Sequence, residues 1–231
     1  MIGILGGMGT QAGLDFCNKL AKLNRGKLDQ QYPMFILYNK SNTPKRPENL
    51  KKYYNVLKAL VEGCRMLENN KCKFIVMPCN TAHYWHEDIQ KKIKIPLLSM
   101  PKEVFNFTKK ICKKNSRIGI LCTEATLKTK VYNQYFDRNF DLISPNQNIQ
   151  KNSVNKAIKF VKMGKVIEAE KALRPAVNEL IKKDCKKIIL GCTELPIALF
   201  AYKSFKKAKE SKIFIDPNLL LAEVCMKRYK R

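Results

Sequence analysis

The stretch FIVMPCNTAH, Phe74 to His83, stops an apolar run at Pro78 and follows it at once with Cys79. A thiol in that position, next to the small polar Asn80 and Thr81, has four possible uses: packing, metal binding, redox chemistry or proton transfer. A second thiol stands in a like setting, where KIILGCTE carries Cys192 ahead of Thr193 and Glu194. The likeness extends upstream. CKFIVMPCNT from Cys72 is echoed by CKKIILGCTE from Cys185, with both members of a Cys-x6-Cys pair kept.

Cys72 and Cys185 precede their apolar runs without polar company and read as packing residues, the common use of free cysteine. Cys79 and Cys192 follow theirs among polar groups that have no reason to gather in a core. Each is expected at a helix N-terminus, where the dipole and free N–H groups favour the thiolate. A thiol of ordinary pKa, about 8.5, is then poised for general acid–base work near neutral pH. Cys79, His83 and His86 also share a helix face at i, i+4 and i+7, a spacing that suits zinc. The repeat has Pro196 and Leu199 at the matching offsets, so no metal is expected, and His83 is read as contacting the loop and His86 as a surface residue.

Strands must place these thiols. Apolar runs at 2–5, 34–38, 74–77, 95–99, 118–121, 140–144, 187–190 and 213–215 alternate with longer amphipathic stretches, the pattern of βαβ units and parallel sheets covered on both faces. IGIL occurs at Ile2 and again at Ile118; Gly3 and Cys79 lie 76 positions apart, Gly119 and Cys192 lie 73 apart. These spacings imply two half-chains of one plan, joined near Leu98 to Pro101. The expected fold is α/β: two pseudo-symmetric Rossmann-like subdomains, each a parallel four-stranded sheet flanked by helices, with the active site in the cleft between them. Residues 1–98 plus 210–231 form the half with Cys79, and 99–209 the half with Cys192. The last strand and helix are expected to return to the first sheet. Ligands of open parallel sheets bind beyond the carboxyl ends of the strands, where both thiols fall.

Gly7-x-Gly9-x-x-Ala12 satisfies a dinucleotide fingerprint, but MFILYNK ends in Asn39 and Lys40 where a ribose-binding acid belongs. The glycines instead bring backbone N–H groups to a small anionic ligand. Nine cysteines, an odd number with no CxxC pair and no secretion signal, point to reduced thiols. The N-terminus leads straight into a glycine turn, and no apolar run nears the roughly 18 residues that span a bilayer, so a cytoplasmic protein without membrane contact is expected. The formal charge of +26 invites a nucleic-acid reading. However, 37 of the 45 basic residues are lysines in scattered doublets such as Lys91-Lys92 and Lys113-Lys114, whereas base readout favours arginine forks. The charge is read as a solvated surface that also draws in an anionic substrate.

Taken together, GILGGMG, MPCNTAH, GCTEL and IDP…AEV resemble the cofactor-independent aspartate/glutamate racemase family, and within it the aspartate racemase branch. The motifs run from Ile2 to Val224. The resemblance implies an amino-acid racemase with a two-thiol mechanism, no pyridoxal phosphate or other cofactor, an acidic amino acid as substrate and a homodimer. Cys79 and Cys192 become the acid/base pair. Arg46 in NTPKRP binds a substrate carboxylate, and Lys162 in VKMG stands at the site. Met8, Gly9, Asn42, Asn80, Thr81, Thr123, Thr126, Thr193 and Glu194 line it. Lys45 and Pro47 replace the Asp and Thr usual beside the arginine, Thr10 a Pro, and Ala125 a Gly; the first two bear on specificity. The alternatives are a broad-specificity racemase, an isomerase or decarboxylase on the same scaffold, and a non-enzymatic dicarboxylate-binding or thiol-sensing module.

Overall fold

The computed structural model describes residues 1–24, 28–45, 53–201 and 212–230. All strand pairings in it are parallel. The chain divides into two compact units, Met1–Glu103 with Asn218–Arg231, and Val104–Pro217.

In the first unit β1 (Ile2–Gly6) lies between β2 (Phe35–Asn39) and β3 (Phe74–Val76). Alternation along the strands sorts their side chains onto two faces. Ile2, Ile4, Phe74 and Val76 pack with Phe16 and Leu20 of α1 (Thr10–Leu23), and with Leu221, Ala222 and Cys225 of the last helix, α11 (Pro217–Tyr229). Leu5, Ile75 and Met77 face the other way, onto Val56, Leu60, Cys64 and Leu67 of α2 (Tyr53–Asn69) and Ile89 of α3 (His86–Gln90). The expected fourth strand at IPLLS is reduced to one parallel bridge, Ile75 to Leu97. Pro96 offers its carbonyl to the Ile75 N–H at 2.8 Å but has no N–H of its own, which ends the ladder there. The next helix, α4 (Met100–Ile111), contains the boundary between the units.

The second unit has the strand order β5-β4-β6-β7, built from β4 (Arg117–Cys122), β5 (Asp141–Ile143), β6 (Lys187–Gly191) and β7 (Phe214–Ile215). The last strand therefore does not return to the first sheet. Ile188 and Ile189 pair with Phe214 and Ile215, and only α11 rejoins the first unit. Short helices α5 (Glu124–Lys128), α6 (Asn133–Phe136) and α7 (Gln147–Ile149) come after β4 and β5, and a π-helical turn over Gln150–Asn155 leads into α8 (Lys156–Lys162). The long α9 (Val166–Lys182) covers one face, with Leu173, Val177 and Leu180 against Ile188 and Leu190, and α10 (Leu195–Ala201) follows β6. Phe105, Tyr132, Phe136 and Phe140 form a separate edge-to-face aromatic cluster.

The written repeat has a packing cause. A Cβ on Gly3 would stand 3.2 Å from the Cys72 sulfur, and one on Gly119 would stand 3.4 Å from the Cys185 sulfur and 2.8 Å from Leu180. Each first strand thus keeps a glycine because a buried cysteine and a helix leucine fill the space beside it. Among the described residues no helix is long and apolar enough to cross a membrane.

Candidate active site

In the first unit Cys79 is buried, three residues beyond the end of β3. Its N–H donates to the Met77 carbonyl at 2.7 Å, closing a tight turn. The chain then takes a single 3-10 segment, Thr81–Trp85, and enters the five-residue α3, rather than forming the regular helix N-terminus expected. Asn80 and Thr81 are buried with the sulfur. The turn after β1 is fixed by Gly7 at φ +88, where a Cβ would lie 2.4 Å from the carbonyl carbon of Lys40. It leaves Met8 in the same apolar cluster as Cys79 and makes Gly9 the N-cap of α1. Asn42 is exposed, while Thr43 beside it is buried and donates to the Lys40 carbonyl at 2.7 Å. Arg46 lies outside the described residues.

His83 is committed to the backbone. Its Nδ1–H donates to the Cys79 carbonyl at 2.9 Å, and Nε2 accepts the Met100 N–H at 3.1 Å. Burial, helped by the neighbouring His86, pushes its pKa down to about 4, so the imidazole is neutral and props the cysteine turn against the start of α4. His86 is half-buried rather than at the surface, with Nε2–H donating to the Leu97 carbonyl at 2.8 Å. Among the described residues no group of three metal-ligating side chains comes together.

The second unit gives Cys192 a more explicit setting. β4 and β6 run in register with Cys122 opposite Gly191, so the next residue of each strand, Thr123 and Cys192, leave the sheet side by side. Thr123 caps α5, its Oγ1 accepting the Thr126 N–H at 3.2 Å and lying 3.0 Å from the Thr126 hydroxyl. The Cys192 thiol donates to Glu194 Oε2 at 3.0 Å, and the Thr193 hydroxyl donates to the same oxygen at 3.3 Å. Lys162 Nζ, half-exposed at the end of α8, stands 3.7 Å from the other carboxylate oxygen. All three of Cys192, Thr193 and Glu194 are buried.

That setting reverses the expected electrostatics. Burial, then the charge and acceptor of Glu194, push the Cys192 thiol well above its ordinary range, and Lys162 only partly opposes them. Instead of a helix dipole favouring thiolate, a carboxylate holds the proton on sulfur. Glu194, read from sequence as a lining residue, is here the thiol's hydrogen-bond partner. Lys162 joins the sulfur through that carboxylate.

Sequence reasoning passed over several neighbours. Tyr132 is buried, and its phenol is held protonated by burial and by the nearby Cys122, Asp216 and Cys192. Gln150, Asn155 and Glu124 form an amide-to-carboxylate chain beside Thr123. Polar residues alternating with apolar ones in this segment look like any amphipathic helix, and no local signal marks the π turn.

Each unit of the repeated α/β plan thus carries a buried thiol beyond the end of an equivalent parallel strand, and the one in the second unit hydrogen-bonds to its own carboxylate. The chain belongs to the Asp/Glu/hydantoin racemase family, whose model matches residues 5–225, and it is accordingly an amino-acid racemase. It is 30% identical over 203 residues to the broad specificity amino-acid racemase RacX of Bacillus subtilis, covering 86% of this chain and 87% of that protein. It is also similar to the solved aspartate racemase of Picrophilus torridus, with a TM-score of 0.81, 29% identity, and coverage of 99% of this chain and 94% of that one. The glutamate racemase RacE1 of Bacillus anthracis shares the fold, at a TM-score of 0.71 and 17% identity over 100% of this chain and 81% of that one.

Proposed function

We propose that this racemase interconverts L- and D-aspartate, by proton transfer at Cα between Cys79 and Cys192 and without pyridoxal phosphate or metal. The observation that carries the reading is the Cys192 thiol held protonated against buried Glu194. Inverting Cα requires a base on one face and an acid on the other. Cys192 enters as the acid, and abstraction in that direction falls to Cys79. As the Cys192 proton moves to carbon, sulfur gains negative charge beside Glu194, and the Lys162 ammonium 3.7 Å from that carboxylate offsets the repulsion. Charge growing on the substrate α-carboxylate is met by hydroxyl and backbone N–H donors of the Thr123–Thr126 turn and of Asn80 and Thr81. Arg46 anchors the distal carboxylate through a bidentate pair. The two thiols titrate as a coupled unit.

Aspartate is favoured over glutamate because the GGMG turn and Glu194 stand where glutamate racemases usually carry other residues. A broad-specificity reading is favoured by the 30% identity to RacX and by Lys45 and Pro47 on either side of the anchoring arginine. Incubation of each enantiomer of aspartate, glutamate and several neutral amino acids, with chiral chromatography of the products, separates the readings. In D2O the product gains solvent deuterium at Cα. Cys79→Ser and Cys192→Ser each lower turnover by about a thousandfold or more without loss of fold, given the weaker acidity of a hydroxyl. Wild-type turnover in either variant excludes the two-thiol scheme.

A further inference from the structure

The π turn over Gln150–Asn155 lies in the second unit, beside β4. In a regular α-helix, residues five apart point about 140° away from each other. Here Gln150 Nε2 donates to Asn155 Oδ1 at 2.9 Å, an i, i+5 pair that the wider π turn brings onto one face. The same Nε2 donates to the Cys122 carbonyl at 2.9 Å, and Asn155 Nδ2 donates to Glu124 Oε1 at 2.5 Å.

Both ends of this chain are obligate acceptors, a carbonyl and a carboxylate, so both amides are fixed in orientation. Gln150 is buried, and its own Oε1 has no hydrogen-bond partner among the described residues. The side chain is therefore held by its two donated bonds, and its acceptor is left unused. The two residues gripped, Cys122 and Glu124, are those on either side of Thr123; Cys122 lies opposite Gly191, so Thr123 and Cys192 are the residues that follow the paired ends of β4 and β6.

We infer that Gln150 and Asn155, aligned by the π turn, are positioning residues for Thr123. Together they clamp the backbone before it and the side chain after it, so that the Thr123–Thr126 hydroxyl pair stays fixed beside the reacting thiol. The inference rests on the racemase reading and deepens it. Fixing this turn matters because displacement of a substrate-orienting group by about 1 Å can cost up to about a hundredfold in rate.

The clamp has a polarity that can be inverted. Asn155→Asp sets one carboxylate against another at Glu124, and adding Glu124→Gln restores a donor facing an acceptor while Gln150 still donates to residue 155. Asn155→Asp is expected to lower kcat/KM for both enantiomers about tenfold or more. The double variant N155D/E124Q is expected to return to within about threefold of wild type. A Thr123→Ala background distinguishes positioning from general support of the fold. There, Asn155→Ala should cost much less than it does alone, whereas a purely structural role predicts the full cost in both backgrounds. Melting temperatures accompany each rate, and if N155D does not fold, the N155A cycle decides. Undiminished turnover in N155D or N155A, no rescue in the double variant, or full additivity with Thr123→Ala overturns the inference alone. Absence of turnover by the wild-type protein with every enantiomer overturns the racemase reading, and this inference with it.

Discussion

At Cys192 three charges or potential charges meet, and their order explains the site. The sulfur gives its proton to a hydrogen bond with Glu194, and Lys162 faces the far oxygen. Removing the carboxylate charge should make the thiol more acidic, because Glu194 is among the causes that raise it. If Cys192 is the proton donor proposed above, then in Glu194→Gln the alkaline limb of the kcat profile moves to lower pH in the direction where it donates. Turnover at neutral pH falls by about tenfold; a profile over pH with both enantiomers measures both effects. His83 has the opposite kind of shift. Its pKa falls to about 4 in the fold from about 6.5 when unfolded, so between those values the unfolded chain binds more protons. Its stabilising contribution is full above the upper value, is lost as pH falls through the window, and levels off below the lower one. The loss is on the order of 3 kcal/mol across the window. Urea unfolding at a series of pH values should show it, and His83→Gln should flatten the slope there.

Among the elements, the turn after β1 carries the strictest demand. Gly7 combines φ +88 with an approach to the Lys40 backbone that leaves no room for a Cβ. Gly7→Ala should destabilise the first unit by about 2–4 kcal/mol, from left-handed backbone strain plus overlap, read as a lower denaturant midpoint at unchanged slope. That glycine turn and the strands were legible in the sequence, because glycine punctuation and apolar runs are local signals. The segment after Cys79 was less so. A helix was expected, yet the chain takes a 3-10 path in which His83 reaches back to the Cys79 carbonyl. IPLLS had the composition of a strand but yielded one bridge, since a proline in it cannot donate to the ladder.

For the whole molecule, the formal charge of +26 sets a long-range field. If the substrate is an acidic amino acid, which carries a net negative charge at neutral pH, kcat/KM should fall severalfold between low and high ionic strength, as screening shortens to about 10 Å near 0.1 M salt. A net-neutral amino acid turned over by the same enzyme should show little dependence. Stopped-time chirality assays across a salt series provide the comparison.

The sequence by itself determined the repeated βαβ plan and the thiol at the end of each equivalent strand, because each of these is a matter of residue type and local spacing. Only the tertiary structure decided that β7 stays with the second sheet, that Glu194 keeps the Cys192 proton in place, and that Gln150 and Asn155 meet across a π turn. Those features depend on which buried groups lie within a few ångströms of one another. Burial and charge proximity arise when distant segments pack, and no local pattern records them.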